Sequence, residues 1–342
     1  MKRYLLIFLL LCSLAWADPV QKYVDFTLGT DDAGHGGAVG AGAWKTLAYA
    51  ESQVGDISGV ADGWKINCSN GTDTSQVVIT GDVTVVGSPL WINGDSTYTL
   101  SVTNATAMII QEDFVRVSNL QIATPAIDGN GDDGIVVNSL GASNLIQIDH
   151  CTVVGSNDAT LYQHGIYINN SNAVVQIWDC LVYNIGTVNN AAECGIRIGA
   201  STSAAIYNCT TSGGKDGIKG GAGTVNVKNC IAVGAGAGYS FNDVGATMSL
   251  YHCMGDDAFL TDVAFDAEAD HDVESVGDFS FTATFRLVAG SNGIDDGMSL
   301  AADTPAVTDD IDGTARGATY DCGCDEYVSS GMNLFRRRAI SW

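Results

Sequence analysis

The sequence predicts an all-β solenoid, in which the short strands of successive coils stack on one another. The main observation is a repeat of the form apolar-x-apolar-x-polar-Cys, whose five copies end at Cys151, Cys180, Cys209, Cys230 and Cys253, 29, 29, 21 and 23 residues apart. An earlier copy has Leu120 in the cysteine position. Between the copies, apolar and polar residues alternate and are interrupted by Gly, Asn and Ser turns, without helical periodicity.

A second repeat lies between the cysteines and supports the same architecture. A glycine followed by an apolar residue recurs at Gly134, Gly165, Gly195, Gly217 and Gly238. Strands this short cannot bury a core alone, so the units must stack. A propeller requires a period of about 40 residues or more, and sandwiches or jelly rolls do not repeat one element in this way. A solenoid of parallel strands is therefore favoured.

Stacking would align the five repeat cysteines in an inward-facing ladder with a step of about 4.8 Å. That step lies within the Cα range of a disulfide, but a thiol is also a small group that fills a tight interior column. We expect buried free thiols, with disulfides as the alternative. A zinc site is not indicated, because the sequence lacks Cys-x₂-Cys spacing. The redox state of Cys322 and Cys324 is left open.

The composition excludes two classes of partner. The 342 residues include 39 acidic and 15 Lys or Arg residues, which gives a net charge of −24. Nucleic acids and anionic membrane surfaces both require clustered bases, so neither is an expected partner. Hydrophobic residues make up 46% of the chain, which excludes global disorder.

The first 17 residues have the pattern of an export signal. Lys2 and Arg3 precede an apolar run of about ten residues, which is too short to span a bilayer, and Ala17 ends a small-x-small cleavage pattern. The alternative is an uncleaved anchor. Leu11 precedes Cys12 where a lipoprotein signal needs a small residue, so lipidation is not expected. We predict secretion to the cell surface, the medium or the periplasm, with no membrane span after cleavage near Ala17.

Both ends of the chain differ from the repeats. Residues 41–54 show the i, i+3, i+4 apolar spacing of a helix, and a solenoid needs its apolar end covered. We therefore predict an N-terminal cap over residues 18–60, coils over 61–285, and a closing segment with a basic tail over 286–342. The closing segment is rich in Asp-Gly turns, which favour loops.

Residues flanking the repeats carry a resemblance to a known family. They are Tyr23, Asp25, Gly29, Asp31, Trp44, Leu47, Gly55, Asp56 and Ile57 before the repeats, and Leu287, Gly290, Ile294, Asp295, Gly297, Asp312, Gly313, Arg316, Asp321, Gly323 and Glu326 after them. Together with the repeats, they make the chain similar to secreted right-handed parallel β-helix proteins of the pectin-lyase-like superfamily.

The resemblance covers nearly all of the chain after residue 17 and implies a right-handed parallel β-helix. It does not imply one activity, because the superfamily includes pectate lyases, polygalacturonases, alginate-modifying enzymes, phage tailspikes and proteins without known activity. The sequence departs from the family pattern at Ala43, where proline is common, and at Cys322 and Cys324, where apolar residues are usual.

Alignment of the coils on their glycines predicts a column of outward side chains. The residues two positions after each glycine are Val136, Tyr167, Arg197, Lys219 and Ser240, and those just before are Asp133, His164, Cys194, Asp216 and Ala237. Strand alternation turns Tyr167, Arg197 and Lys219 outward, about 5 Å apart on successive coils. An aromatic ring beside two bases would stack a sugar and neutralise a uronate. The alternative is a solvated face whose bases offset Asp216 and other acids.

Upstream acids suggest two further kinds of site. Asp128, Asn130, Asp132 and Asp133 have the spacing of oxygen donors in a calcium loop. The sixth and twelfth positions of that loop lack the usual Gly and Glu, so a plain Asp/Gly turn is the alternative. Asp132 and Asp133, followed by His164, are also similar to the paired aspartates and His-Gly of polygalacturonases, which implies an inverting hydrolase whose aspartates act as acid and base. His164 is a catalytic candidate in this hypothesis, and a turn or ladder residue is the alternative.

Together these observations predict an extracellular protein that binds polysaccharide through a side face, with Tyr167, Arg197, Lys219 and Asp216 as binding residues. The first alternative is a glycan-cleaving enzyme, either a calcium-dependent uronate lyase with Lys219 or Arg197 as general base or a glycoside hydrolase. The second is a non-catalytic structural or adhesive surface protein. Apart from calcium, no cofactor is expected. The net charge disfavours polyanionic substrates at long range.

Overall fold

The computed structural model describes residues 19–55, 60, 63–80, 89–125, 132–138, 144–156, 163–169, 173–186, 193–199, 202–233, 239–255, 264–265, 273–275, 287–291 and 293–327. Within these ranges the strands form three parallel sheets, and each turn of the chain adds one strand to a sheet before passing to the next. The predicted all-β solenoid of parallel strands is therefore confirmed.

A ten-stranded sheet extends along the whole solenoid. Its strands, in spatial order, are β1 Val20–Asp25, β2 Trp64–Ser69, β5 Leu90–Gly94, β8 Val115–Ser118, β11 Asn144–Asp149, β14 Ala173–Trp178, β17 Thr202–Tyr207, β20 Gly223–Lys228, β23 Ala246–Tyr251 and β25 Ala264–Phe265.

The other two sheets complete each coil. The nine-stranded sheet contains β3 Gly71–Asp73, β6 Tyr98–Ser101, β9 Gln121–Ala123, β12 Thr152–Val154, β15 Leu181–Ile185, β18 Thr210–Gly213, β21 Ile231–Val233, β24 Cys253–Gly255 and β26 Val273–Ser275. The seven-stranded sheet contains β4 Val77–Ile79, β7 Met108–Ile110, β10 Ile135–Asn138, β13 His164–Asn169, β16 Cys194–Ile198, β19 Asp216–Gly220 and β22 Phe241–Asn242.

The core is built from columns of equivalent apolar residues. One column of the ten-stranded sheet is fully buried and pairs in register from coil to coil, through Ile66, Ile92, Val117, Ile148, Ile177, Ile206, Val227 and Leu250. Alternate positions face inward, as strand geometry requires. A continuous stack of branched side chains is what allows such short strands to close a core.

The polar residue of the sequence repeat lies in a turn between the ten-stranded and nine-stranded sheets and has left-handed backbone geometry. In seven of the described coils this residue has φ between 49° and 60°, and we call these residues the turn ladder: Asn70, Asn119, His150, Asp179, Asn208, Asn229 and His252. Asn, Asp and His tolerate this backbone region better than most other residues with a Cβ. The conformation therefore explains why the repeat needs a polar residue before each cysteine.

The cysteines that follow the turn ladder form the predicted interior column. Cys151, Cys180, Cys209, Cys230 and Cys253 are buried free thiols. Burial raises the pKa of Cys151, Cys180 and Cys209 well above its usual value. The sulfurs bond to neighbouring groups, and the backbone N–H of Cys209 donates to Sγ of Cys230 over 3.4 Å.

We predict that these thiols are unreactive in the folded protein. The reactive form of cysteine is a solvent-accessible thiolate, whereas these thiols are buried, and the raised pKa values of Cys151, Cys180 and Cys209 keep those three protonated. Ellman's reagent should label none of the five column cysteines at pH 8 and all five in denaturant. Mass spectrometry after alkylation would assign the labelled sites. Rapid native labelling of Cys151 or Cys180 would contradict the buried column.

The N-terminal cap region contains less helix than the sequence predicts. A 3₁₀ helix spans Gly40–Gly42 and one α-helix, α1, spans Leu47–Ser52, whereas Trp44 forms a parallel bridge with Val24. Because of this bridge, the chain is extended before Thr46. Thr46 is the N-cap of α1, and its hydroxyl accepts a hydrogen bond from the Tyr49 N–H. Within the described ranges no helix has the length and apolar composition needed to cross a membrane.

The C-terminal segment, residues 287–327, lies along the side of the solenoid on the turn ladder. Asn229 exchanges two hydrogen bonds with the backbone of Met298, over 2.7 and 2.9 Å. His252 Nδ1 lies 2.9 Å from the carbonyl oxygen of Asp296. Further along, Arg316 reaches Asp179. The segment therefore covers a lateral corner of the coils, and the basic tail at Arg336, Arg337 and Arg338 lies outside the described residues.

Candidate functional site on the seven-stranded sheet

The seven-stranded sheet brings the predicted outward residues together. Tyr167 pairs in register with Arg197, and Arg197 pairs with Lys219. The isoleucines on either side of Tyr167 are fully buried, whereas all three column residues are partly exposed. Neighbouring parallel strands are about 4.8 Å apart, so the three side chains form one continuous strip along the solenoid axis.

The predicted end of this column is wrong by two residues. Lys219 pairs with Asn242, and the Gly217 N–H bonds to the Tyr239 carbonyl oxygen, so Ser240 lies opposite Gly217 and is buried. The error came from aligning Gly238, which lies outside the described residues, as does Ala237. Asn242 therefore takes the register position predicted for Ser240, but it is buried and does not extend the exposed strip.

His164 is held between an acid and a base at one end of the strip. Its Nδ1 lies 2.9 Å from Oδ1 of Asp133, and Nη1 of Arg197 lies 3.1 Å from its Nε2. Because a guanidinium only donates, Nε2 accepts, and the ring proton is assigned to Nδ1. The imidazole also stacks on Tyr167, with ring centroids 4.7 Å apart. This network fixes the orientation of both rings.

Arg197 also covers the Tyr167 ring, with the guanidinium carbon 4.9 Å from the ring centroid. The Tyr167 hydroxyl donates to Oδ1 of Asn169, and the Asn169 amide donates to Asn138 on the preceding coil. Asn138 and Asn169 therefore form a polar column beside the strip of Tyr167, Arg197 and Lys219. The two columns together offer a ring, a guanidinium and amides to a ligand.

Asp216 and Lys219 form the other end of the strip. Nζ of Lys219 donates to Oδ2 of Asp216 over 2.7 Å, and Asn242 donates to Oδ1 over 2.9 Å. The Asp216 side chain is fully buried. Cys194, in register with Asp216, is inert because burial, followed by the nearby Asp216 charge, raises its pKa to about 12. The Lys219 side chain is thus held against a buried carboxylate.

The two bases of the strip are each offset by one acid. Arg197 is linked to Asp133 through His164, and Lys219 is bonded to Asp216 directly. Neither base is poised to accept a proton: a guanidinium stays protonated, and Lys219 would first have to leave Asp216. The arrangement suits the binding of a polar ligand better than general-base chemistry.

The residues predicted to bind calcium are only partly described. Asp128 and Asn130 lie outside the described residues, while Asp132 and Asp133 are buried. Oδ1 of Asp133 accepts from both the backbone N–H and Nδ1 of His164. Asp133 thus already supports the strip, and calcium binding by this loop stays a prediction.

A group of ionisable side chains that was not predicted from the sequence lies where the turn ladder meets the C-terminal segment. His150, Asp179 and Asp309 each place one donor atom within 4.8 Å of the others. Burial raises the pKa of Asp179 to about 7, although Arg316 and His150 oppose that shift. Burial acts to lower the pKa of His150, but the bond to Asp149 and the charges of Asp179 and Asp309 leave it raised. The polar position of the repeat could have indicated His150 and Asp179, but Asp309 lies outside the repeats.

Comparisons with known proteins support the fold. No protein-family model matches the chain, and no curated protein matches it. A solved crystal structure of pectate lyase Pel9A is similar, with a TM-score of 0.51 and 12% sequence identity, covering 92% of this chain and 98% of that chain. A likeness at this identity concerns architecture, and it agrees with the three parallel sheets described above. The chain folds as a right-handed parallel β-helix.

Proposed function

We propose that this protein binds a polysaccharide along the outer face of the seven-stranded sheet. The observation that carries the proposal is the strip of Tyr167, Arg197 and Lys219, in register on three successive strands and partly exposed. Aromatic rings pack on the apolar faces of sugars, while guanidinium, ammonium and amide groups donate to hydroxyl and carboxyl oxygens. The strip runs along the solenoid axis, as binding of a linear polymer requires.

The charge balance indicates which polysaccharides fit. Both bases already have acidic partners, so the strip has little net positive charge. The chain as a whole carries a net charge of −24, which repels polyanions. We therefore favour a neutral or sparsely carboxylated polysaccharide over a polyuronate.

We predict that Tyr167→Ala weakens glycan binding about 10-fold, which corresponds to about 1.4 kcal/mol, because it removes the stacking platform. Tyr167→Phe should bind like the wild type, since it keeps the ring and loses only the bond to Asn169. A glycan array with neutral and acidic polysaccharides would identify the ligand, and calorimetry would then compare the variants.

Tyr251→Ala is the matched control for this experiment. Tyr251 is also a partly exposed strand tyrosine, with Lys228 5.5 Å from its ring centroid, but it belongs to the ten-stranded sheet. Equal loss of binding in both alanine variants would place the ligand elsewhere. Failure of the wild type to retain any glycan would favour a purely structural or adhesive protein.

A uronate lyase is the second candidate, supported by the similarity to a structure whose title names a pectate lyase. In this case Lys219 would have to leave Asp216 and lose its proton before it could act as general base. The assay is the ultraviolet absorbance of unsaturated uronate products on pectate and alginate, with and without calcium. Product formation abolished by Lys219→Met would establish catalysis, whereas no product on either polymer would exclude these two substrates.

The proposed function requires that the protein meet polysaccharides outside the cell. Residues 1–17 have the pattern of an export signal and lie outside the described residues. Cleavage near Ala17 would show as a mature N-terminus at Asp18 in the mass spectrum of the exported protein.

A further inference from the structure

We propose that His150, Asp179 and Asp309 bind one divalent metal ion, best matched by zinc, which fastens the C-terminal segment to the turn ladder. Nε2 of His150 lies 3.9 Å from Oδ2 of Asp179 and 3.8 Å from Oδ1 of Asp309. This group is separate from the strip on the seven-stranded sheet and from the acids of residues 128–133.

Two buried atoms in this group have no hydrogen-bond partner. They are Nε2 of His150, whose side chain is 10% exposed, and Oδ2 of Asp179, whose side chain is 0% exposed. A buried carboxylate oxygen without a partner is costly. A proton on Nε2 would not satisfy it, because 3.8 and 3.9 Å are beyond hydrogen-bond distance. A metal ion between the three donors would satisfy both atoms.

The remaining atoms of the ligands are already oriented for metal binding. Nδ1 of His150 lies 3.0 Å from Oδ2 of Asp149, which directs the Nε2 lone pair toward the other two carboxylates. Metal-bound histidines nearly always have such a partner on the second nitrogen. Oδ1 of Asp179 accepts from Arg316 and Asn208, so only Oδ2 remains for a ligand.

The donor types favour zinc over calcium. Tetrahedral zinc binds imidazole nitrogen and carboxylate oxygen at about 2.1 Å, which places two donors about 3.4 Å apart. The separations from Nε2, 3.9 Å to Asp179 and 3.8 Å to Asp309, are slightly longer, and Asp309, whose side chain is 46% exposed, has room to move toward an ion. Calcium takes oxygen donors and does not favour imidazole.

An ion could reach the group from solvent. His150 lines a cleft of about 430 Å³, together with Asn119 of the turn ladder and Ile311 and Gly313 of the C-terminal segment. Since Asp309 belongs to the C-terminal segment and the other two ligands to the coils, the ion would join elements far apart in sequence.

The test uses the full chain, purified without a histidine tag and freed of metal with a chelator that is then removed. Calorimetric titration with zinc should give a stoichiometry near one. Asp309→Asn and His150→Asn should each weaken zinc binding at least 10-fold. Asparagine suits position 150, because Asn119 and Asn208 hold the same left-handed turn with φ of 55° and 49°. Asp312→Asn, an exposed change on the same segment, should bind zinc like the wild type.

Thermal unfolding provides a second readout. Zinc should raise the unfolding midpoint of the wild type and of Asp312→Asn, and should not raise that of Asp309→Asn. Circular dichroism would verify that each variant is folded. The proposal is overturned if the wild type binds zinc no more tightly than about 1 mM, if Asp309→Asn and His150→Asn bind as tightly as the wild type, or if calcium saturates the site and zinc does not.

Discussion

Replacing Arg316 with alanine should destabilise the protein by about 3–5 kcal/mol, because the change leaves a buried carboxylate without its cation. The side chains of Arg316 and Asp179 are both 0% exposed, and Nη2 lies 2.8 Å from Oδ1 of Asp179. The guanidinium also donates to Glu326 and to the carbonyl oxygens of Asp309, Asp321 and Gly323. One side chain thus links the coil turn to four residues of the C-terminal segment.

The loss should be concentrated at that contact. Urea unfolding, in the presence of a chelator, would report the change in stability. Amide hydrogen exchange should accelerate first over residues 309–324, since their backbone loses its common partner. Adding Asp179→Asn should recover part of the loss by removing the uncompensated charge, and asparagine tolerates the φ of 49° at that position.

Arg116→Ala is the matched control. Arg116 makes two bonds to Asp149, over 2.8 and 3.0 Å, but its side chain is 32% exposed and Ser118 still donates to the carboxylate without it. A loss of about 1–2 kcal/mol is expected. If the two variants were equally destabilised, the buried ion pair would not be the feature that secures the C-terminal segment.

The coil architecture was predictable because its signals are local. Each strand alternates inward and outward residues, each left-handed turn requires Asn, Asp or His, and each interior column accepts a small thiol. These demands recur in most of the described coils, so the repeat ending at Cys151 and its copies reveal them directly. Tyr167, Arg197 and Lys219 follow from the same periodicity, which is why their register was also predicted.

The contacts that the sequence did not reveal involve residues distant in the chain or coils of unequal length. Arg316 and Asp179 are separated by 137 positions, and no sequence pattern predicts that they are in contact. The predicted register was wrong at Ser240, because no residue near Gly238 indicates where the strand begins. In the structure Asn242, not Ser240, pairs with Lys219. Calcium spacing in residues 128–133 did not reveal that Asp133 supports His164.

Gly165→Ala should destabilise the solenoid by about 3 kcal/mol or more, because an added Cβ has no space between two sheets. The Cβ would lie 2.1 Å from Cγ1 of Val182 on the nine-stranded sheet and 2.7 Å from the carbonyl oxygen of Gly195 on the next coil. Overpacking a dense interior costs about 1–3 kcal/mol when side chains adjust. Here one clash is with backbone, which cannot rotate away.

The same constraint explains the glycine column that the sequence repeats. A Cβ at Gly134, Gly195 or Gly217 would also approach a backbone oxygen of the following coil, at 2.5 to 2.7 Å. Val182→Ala in the Gly165→Ala background should recover only part of the stability, since it relieves the side-chain clash and leaves the clash with Gly195. Gly37→Ala is the control, because its added Cβ meets nothing within 4 Å. Urea unfolding would compare the wild type, Gly165→Ala, the double variant and Gly37→Ala. Full recovery of stability in the double variant would show that side-chain packing, and not the approach of successive coils, requires glycine at this corner.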